Sequence, residues 1–175
     1  MERISPAQPK APRRVVTGVA PSGLSCVLFD GPAPASLEIA GPGSAVFHNL
    51  WRTGVEAQLP GGDPQDPAAE LSDMTQIFPE PGGSHFTISI WPPHYPPAET
   101  LDLWMHSTDT VDYILILSGQ ITCFFDGGEQ TVLSAGDVLI QNGAAHAWRN
   151  EGETPCTMAA VAIASRPAAP SPDHP

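Results

Sequence analysis

An all-β fold, an antiparallel meander or barrel, is predicted by three features of this 175-residue chain. Within residues 105–150, apolar runs of strand length at 113–117, 121–125, 131–133 and 138–141 alternate with short turns that contain Gly and Asp. No stretch sustains an apolar period of 3.6 residues, and 21 prolines and 16 glycines favour turns over helices. Asp126-Gly127-Gly128 lies between two of the runs and supplies residues that tolerate positive φ, a hairpin signal.

Taken in order, residues 1–12 lack periodicity and read as a disordered tail. Residues 13–18 and 25–30 read as two strands joined across Ala20-Pro21-Ser22-Gly23, and 45–52 as a third that mixes β-branched, aromatic and polar residues. Residues 53–82, which include Pro60-Gly61-Gly62-Asp63-Pro64, are the least regular; loops of that length are uncommon and are functional or disordered. Residues 85–91 alternate, with Phe86, Ile88 and Ile90 on one face. The Pro-rich stretch 92–97 is stiff and leads into 101–106. Ser134-Ala135-Gly136-Asp137 marks the next turn of the meander, and 157–164 gives a last strand before a Pro-rich, unstructured tail at 167–175. One domain, 13–166, with no internal repeat, is the expected organisation.

Composition excludes several classes of partner. A formal charge of −12 disfavours nucleic acid and anionic membrane, which select basic patches. The longest apolar run, 158–164, is far short of the about 20 residues that span a bilayer, and the first residues have no apolar core of a leader. Three cysteines, Cys26, Cys123 and Cys156, without C-x-x-C spacing give no disulfide framework. A soluble, reduced, cytoplasmic protein is expected.

His106, Thr108, Asp112 and Gly119, followed by Gly136, Gly143, His146 and Asn150, fall close to the spacing of two motifs, G-x5-H-x-H-x3,4-E-x6-G and G-x5-P-x-G-x2-H-x3-N. On these residues the segment 84–165 resembles the cupin superfamily of jelly-roll barrels, two packed antiparallel sheets. The N-terminal strands are then an extension of the barrel. The chain departs from the pattern: Thr100 stands for the opening Gly, Thr108 for the second His, Asp112 for Glu, and no Pro precedes Gly143. The run M-H-S-T-D-T-V-D-Y and the ending G-A-A-H-A-W-R-N are similar to those of small stand-alone cupins. Some of these occur in fungal gene clusters for aromatic polyketides and are described as oxidoreductases. The resemblance implies an enzyme acting on a small aromatic or polyol metabolite in secondary metabolism.

It also implies a site in the barrel mouth, with His106, Asp112 and His146 as metal ligands and catalytic groups. Two imidazoles and a carboxylate suit a mononuclear divalent metal, Fe(II) first, with Zn, Mn or Ni compatible by ligand type. Thr108, two residues from His106 and on the same face if both lie on one strand, could bond a metal-bound water. Gln141, in an otherwise apolar run, Trp148 and His94, in the Pro-rich loop, are candidates to touch substrate. Trp104, Tyr113 and Phe125 read as barrel wall or core. Singly, each has a plainer reading: His106 caps a strand, His146 stacks on Trp148, and Asp112 pairs with a turn amide. Two alternatives remain open, a metal-free or Lewis-acid lyase, isomerase or cyclase using His–Asp acid–base chemistry, and a non-catalytic ligand-binding module. The apolar N-terminal strands predict a two-fold homodimer that packs or exchanges them.

Overall fold

The computed structural model describes residues 10–41, 43–55, 57 and 65–166. The expected tails, apart from residues 10–12, and the Pro60-to-Pro64 turn lie outside the described residues. Eleven strands are found among them: β1 Arg13–Val19, β2 Ser25–Pro32, β3 Ala35–Glu38, β4 Val46–Thr53, β5 Ser84–Trp91, β6 Thr110–Ser118, β7 Gln120–Phe125, β8 Gln130–Ser134, β9 Val138–Asn142, β10 His146–Arg149 and β11 Cys156–Ala164. Every ladder between them is antiparallel. Six form one sheet in the order β3-β4-β5-β11-β6-β9, three form a second in the order β10-β7-β8, and β1-β2 is a separate hairpin.

The two larger sheets face each other as a jelly roll. Trp91, Ile114, Ile116, Cys156 and Met158 come from one side and Ile121, Cys123, Leu133 and Trp148 from the other, one buried apolar core. The expected hairpin turn is present: Gly128 adopts φ +84°, and Phe125 N donates to Glu129 O at 2.9 Å. At the next turn the Asp137 carboxylate accepts from Ser134 N at 2.8 Å. Strands β3 and β10 and the 3₁₀ turns at Met74–Ile77 and Ala98–Trp104 were not anticipated; four to seven residues carry too little periodicity to register.

The irregular stretch after β4 is pinned to the barrel by polar side chains. Asn49 Nδ2 donates to Ala68 O and Glu70 O at 3.0 and 3.1 Å, and its Oδ1 lies 2.8 Å from His85 Nε2. His85 Nδ1 is 2.8 Å from Ile77 O, and Arg52 donates to Gln76 O. The β1–β2 hairpin lies against its own barrel through Arg14. That guanidinium pairs with Asp66, donates to Leu50 O at 2.7 Å and faces the rings of Phe29 and Trp51. Asn150 is buried and fully bonded: Nδ2 donates to Trp91 O and Thr154 O, and Oδ1 accepts from Gly152 N.

Two measurements test this architecture. Gly119 has φ +74°, and a Cβ there would sit 2.4 Å from Pro155 O and 2.9 Å from Cys156 Cα, both backbone atoms. Gly119→Ala is expected to lower the unfolding free energy by about 2–4 kcal/mol in urea titration. Gly127→Ala, with nothing within 4 Å, is expected to change it by less than about 1 kcal/mol. The second concerns pH. Burial, with Arg52 acting the same way and the bond to Ile77 O opposing, pushes His85 from 6.5 down to about 4. The folded state therefore binds fewer protons at this site than the unfolded chain does. The stability it contributes is present above pH 6.5 and lost as pH falls through about 4. The wild type is expected to lose about 3 kcal/mol more than His85→Gln across that window, in urea titrations at each pH.

Candidate functional site

The site is built by one β-bridge. His106 N donates to His146 O at 3.0 Å and His146 N donates to His106 O at 2.9 Å. Residues that exchange both backbone bonds project their side chains to the same face, so the imidazoles are brought side by side, with ring centroids 4.6 Å apart. They open onto a cavity of about 570 Å³ between the sheets. Its floor is the inner face of the large sheet: His85, Thr87, Ser89 and Trp91 at alternate positions of β5, Asp112 and Ile114 on β6, and Met158, Ala160 and Ala162 on β11. Met74, Ile77 and Phe78 close one side from the pinned loop, and Leu103 and Trp104 another from the second 3₁₀ turn. Among the described residues, no Lys or Arg lines it.

Both imidazoles are held at Nδ1. That atom of His106 lies 2.8 Å from Trp104 O, and that of His146 lies 2.9 Å from Ala144 O and from Gln141 Nε2. Gln141 Nε2 also donates to Ala144 O at 2.6 Å. Among the described residues neither Nε2 has a hydrogen-bond partner. Two tautomers of His146 are available. A proton on Nδ1 goes to Ala144 O and leaves an Nε2 lone pair for the cavity, whereas donation from Gln141 to Nδ1 places the proton on Nε2. Burial pushes the His146 imidazole down, with His106 adding to the effect and Ala144 O opposing it.

Asp112, the third expected ligand, is on the same wall. Its Oδ1 is buried without a partner among the described residues. Burial pushes its carboxyl up, against the Thr110 hydroxyl and the proximity of His106. Among the described residues no three His, Cys, Asp or Glu side chains are grouped so as to hold one metal ion. The structure thus assembles the imidazole pair and leaves the carboxylate apart from it. The donors fit a divalent metal in part: two Nε2 atoms held from behind, as in metal sites where the other ring nitrogen is bonded to a carbonyl, and an uncommitted carboxylate oxygen.

The other candidates divide. Thr108 lines the cavity but precedes β6 in irregular chain, so it does not share a strand with His106; its hydroxyl is 2.7 Å from that of Thr110. Trp148 lines the cavity and meets His146 edge-on, centroids 5.9 Å apart, rather than stacking. Gln141 is buried behind His146 and does not line the cavity. His94 is exposed on a loop and pairs with Glu153 at 3.3 Å, away from the cavity lining. Trp104 is cavity wall and Phe125 packs on the core, whereas Tyr113 faces outward. His85 and Phe78 are among the lining residues that motif spacing could not supply; alternation on β5 carried the only signal for His85, and none existed for Phe78.

A family model described as the cupin domain matches residues 94–163, the span that carries both imidazoles and Asp112. Phomopsin biosynthesis cluster protein D of Diaporthe leptostromiformis is 33% identical over 147 residues, 83% of this chain and 74% of that protein. Cupin-domain-containing oxidoreductase virC of Hypocrea virens is 32% identical over 66 residues, 36% of this chain and 34% of that protein. Among solved structures, the cupin domain of an XRE-family transcriptional regulator from Enterobacter cloacae aligns with TM-score 0.38 and 18% identity over 47% of this chain and 83% of that chain. With a relative matched along most of both chains and a family model seated on the strands that hold the histidine pair, the chain belongs to the cupin family.

Proposed function

We propose that this cupin is a small-molecule enzyme of secondary metabolism, an oxidoreductase acting on a neutral, largely apolar, ring-bearing metabolite. The observation that carries the reading is the bridged imidazole pair, with both Nε2 atoms unbonded, beside a cavity of about 570 Å³ walled by Phe47, Phe78, Trp91, Trp104 and Trp148. The relatives support the setting, one being named for a fungal biosynthesis cluster and another as an oxidoreductase. His106 and His146 would hold a divalent metal, with Asp112 the remaining carboxylate, and the metal would supply Lewis-acid or redox chemistry. The chain's own groups do the rest. Aromatic walls bind and orient a planar ring, and the loop carrying Met74, Ile77 and Phe78 excludes water. The lack of a lining Lys or Arg among the described residues disfavours carboxylate or phosphate substrates, which would lack a cationic clamp.

A second reading rests on Asp112 and Gln141. A carboxyl pushed up by burial, with an unbonded buried oxygen, is suited to hold a proton, and donation from Gln141 would make His146 Nε2–H a proton donor. This arrangement serves an isomerase, lyase or cyclase without redox chemistry.

Elemental analysis after growth in metal-supplemented medium separates the two. About one metal per chain is expected for the wild type, falling at least about tenfold in His106→Ala and in His146→Ala; less than about 0.1 per chain in the loaded wild type would sink the metal reading. The substrate class is tested by thermal shift. Millimolar 1-naphthol is expected to raise Tm by about 2 °C or more and 1-naphthoate to leave it unchanged. Equal shifts would show that charge is not discriminated.

A further inference from the structure

The inner face of the large sheet carries a trough, and strand register fixes its walls. On β11 two successive cavity-lining positions are Ala160 and Ala162, the smallest side chains of the floor, with Met158 next along the strand. Ala162 pairs with His85 on β5 and with Asp112 on β6, and Ala160 pairs with Thr87 and with Ile114. Each methyl group thus lies between two longer side chains of its own row, and all four of these line the cavity. The flanking strands are two inter-strand spacings apart, about 10 Å, which leaves a channel one strand wide and floored by methyl groups. It ends at Met158, whose partners in the next row are Ser89 and Ile116.

The four flanking side chains differ in what they leave unbonded. Ile114 has no polar atom. Both ring nitrogens of His85 are engaged, Nδ1 beside Ile77 O and Nε2 beside Asn49 Oδ1, each at 2.8 Å. Thr87 is only 6% exposed, and among the described residues its hydroxyl has no hydrogen-bond partner. Asp112 Oδ1 is buried and likewise without a partner among them. Two uncommitted oxygens therefore stand on opposite walls of the trough, in adjacent rows. Buried polar groups are ordinarily bonded, so each calls for a partner from what enters.

We propose that this trough seats the substrate's ring, and that Thr87 and Asp112 select a ring oxygenated at two opposite edges. On the reading of the cavity as the site of a neutral, ring-bearing metabolite, on which this rests, the class narrows to fused-ring phenols with two such oxygens. A ring lying on the two methyl groups gains apolar contact across its face, and its edges meet the two oxygens. A ligand hydroxyl donates to Asp112 Oδ1 at one edge. At the other, the Thr87 hydroxyl donates to the second ligand oxygen or accepts from it. Ala160 and Ala162 set which shapes enter, since a longer side chain there fills the space that the ring takes. Thr87 is on β5, outside the bridged imidazole pair, so its effect on binding is separable from that of a bound metal.

Isothermal titration calorimetry on the full chain tests this with two isomers. The oxygens of 2,6-naphthalenediol sit at opposite edges of the ring, and those of 2,3-naphthalenediol share one edge. The wild type is expected to bind the first at least about fivefold more tightly. Thr87→Val, which removes the oxygen and keeps the shape, is expected to bring the two isomers within about twofold of each other. Thr87→Ser, which keeps the oxygen, is expected to retain the preference. Ala162→Leu, which fills the trough, is expected to weaken both isomers at least about tenfold, with folding checked by circular dichroism. Should Thr87→Val fail to fold, Thr87→Ala takes its place under the same expectation. Equal binding of the two isomers by the wild type overturns this proposal alone. So does a preference that survives loss of the Thr87 oxygen, or an Ala162→Leu chain that binds as the wild type does. Binding of neither isomer at millimolar concentration overturns it together with the reading of the cavity as a ring site.

Discussion

Two backbone hydrogen bonds between His106 and His146 hold the working end of this molecule together. They add the segment before β6 to the small sheet beside β10, so that the chain which leaves β5 through the Pro-rich loop is tied back across the barrel mouth. A second stitch lies further along the same two segments, where Asn150 N donates to Tyr95 O at 2.8 Å. Between them runs the 3₁₀ turn that delivers Trp104 to the cavity wall. The bridge thus sets the mouth's width and the spacing of the imidazoles at once, because paired residues in an antiparallel ladder have no freedom to face apart.

Around that pair the cavity is apolar, which sharpens every polar interaction inside it. His146 is held neutral by burial, and Asp112 is pushed toward its protonated form by the same cause. Burial thus favours the uncharged form of both groups. The two tautomers of His146 differ in whether they offer a lone pair or a proton, and Gln141 contacts the nitrogen that decides. Gln141 is thus buried behind the site, in contact with His146, and does not line the cavity.

The large sheet serves two purposes through simple alternation. Alternate residues of its strands face the cavity on one side and the outer surface on the other, and β6 and β11 are mostly apolar for that reason. Polar clamps at the other end, from Asn49, His85 and Arg52, bind the loop that completes the cavity wall.

The all-β class, the strands of the meander, the turns at Asp126–Gly128 and Ser134–Asp137, and the pairing of His106 with His146 were legible in the sequence, because each rests on local periodicity, turn chemistry or motif spacing. Sequence gave no access to what depends on distant chain segments. Phe78 reaches the cavity because Asn49, His85 and Arg52 fasten its loop through bonds that span 21, 8 and 24 residues of the chain, side-chain contacts that leave no mark in local periodicity. His94 and Gln141 were placed by plausible neighbourhood and moved by three-dimensional packing, one out to Glu153 and the other behind His146. Asp112 keeps its expected face but not a shared metal group with the imidazoles, since alternation fixes the side of a sheet and only the approach of the two sheets fixes a distance.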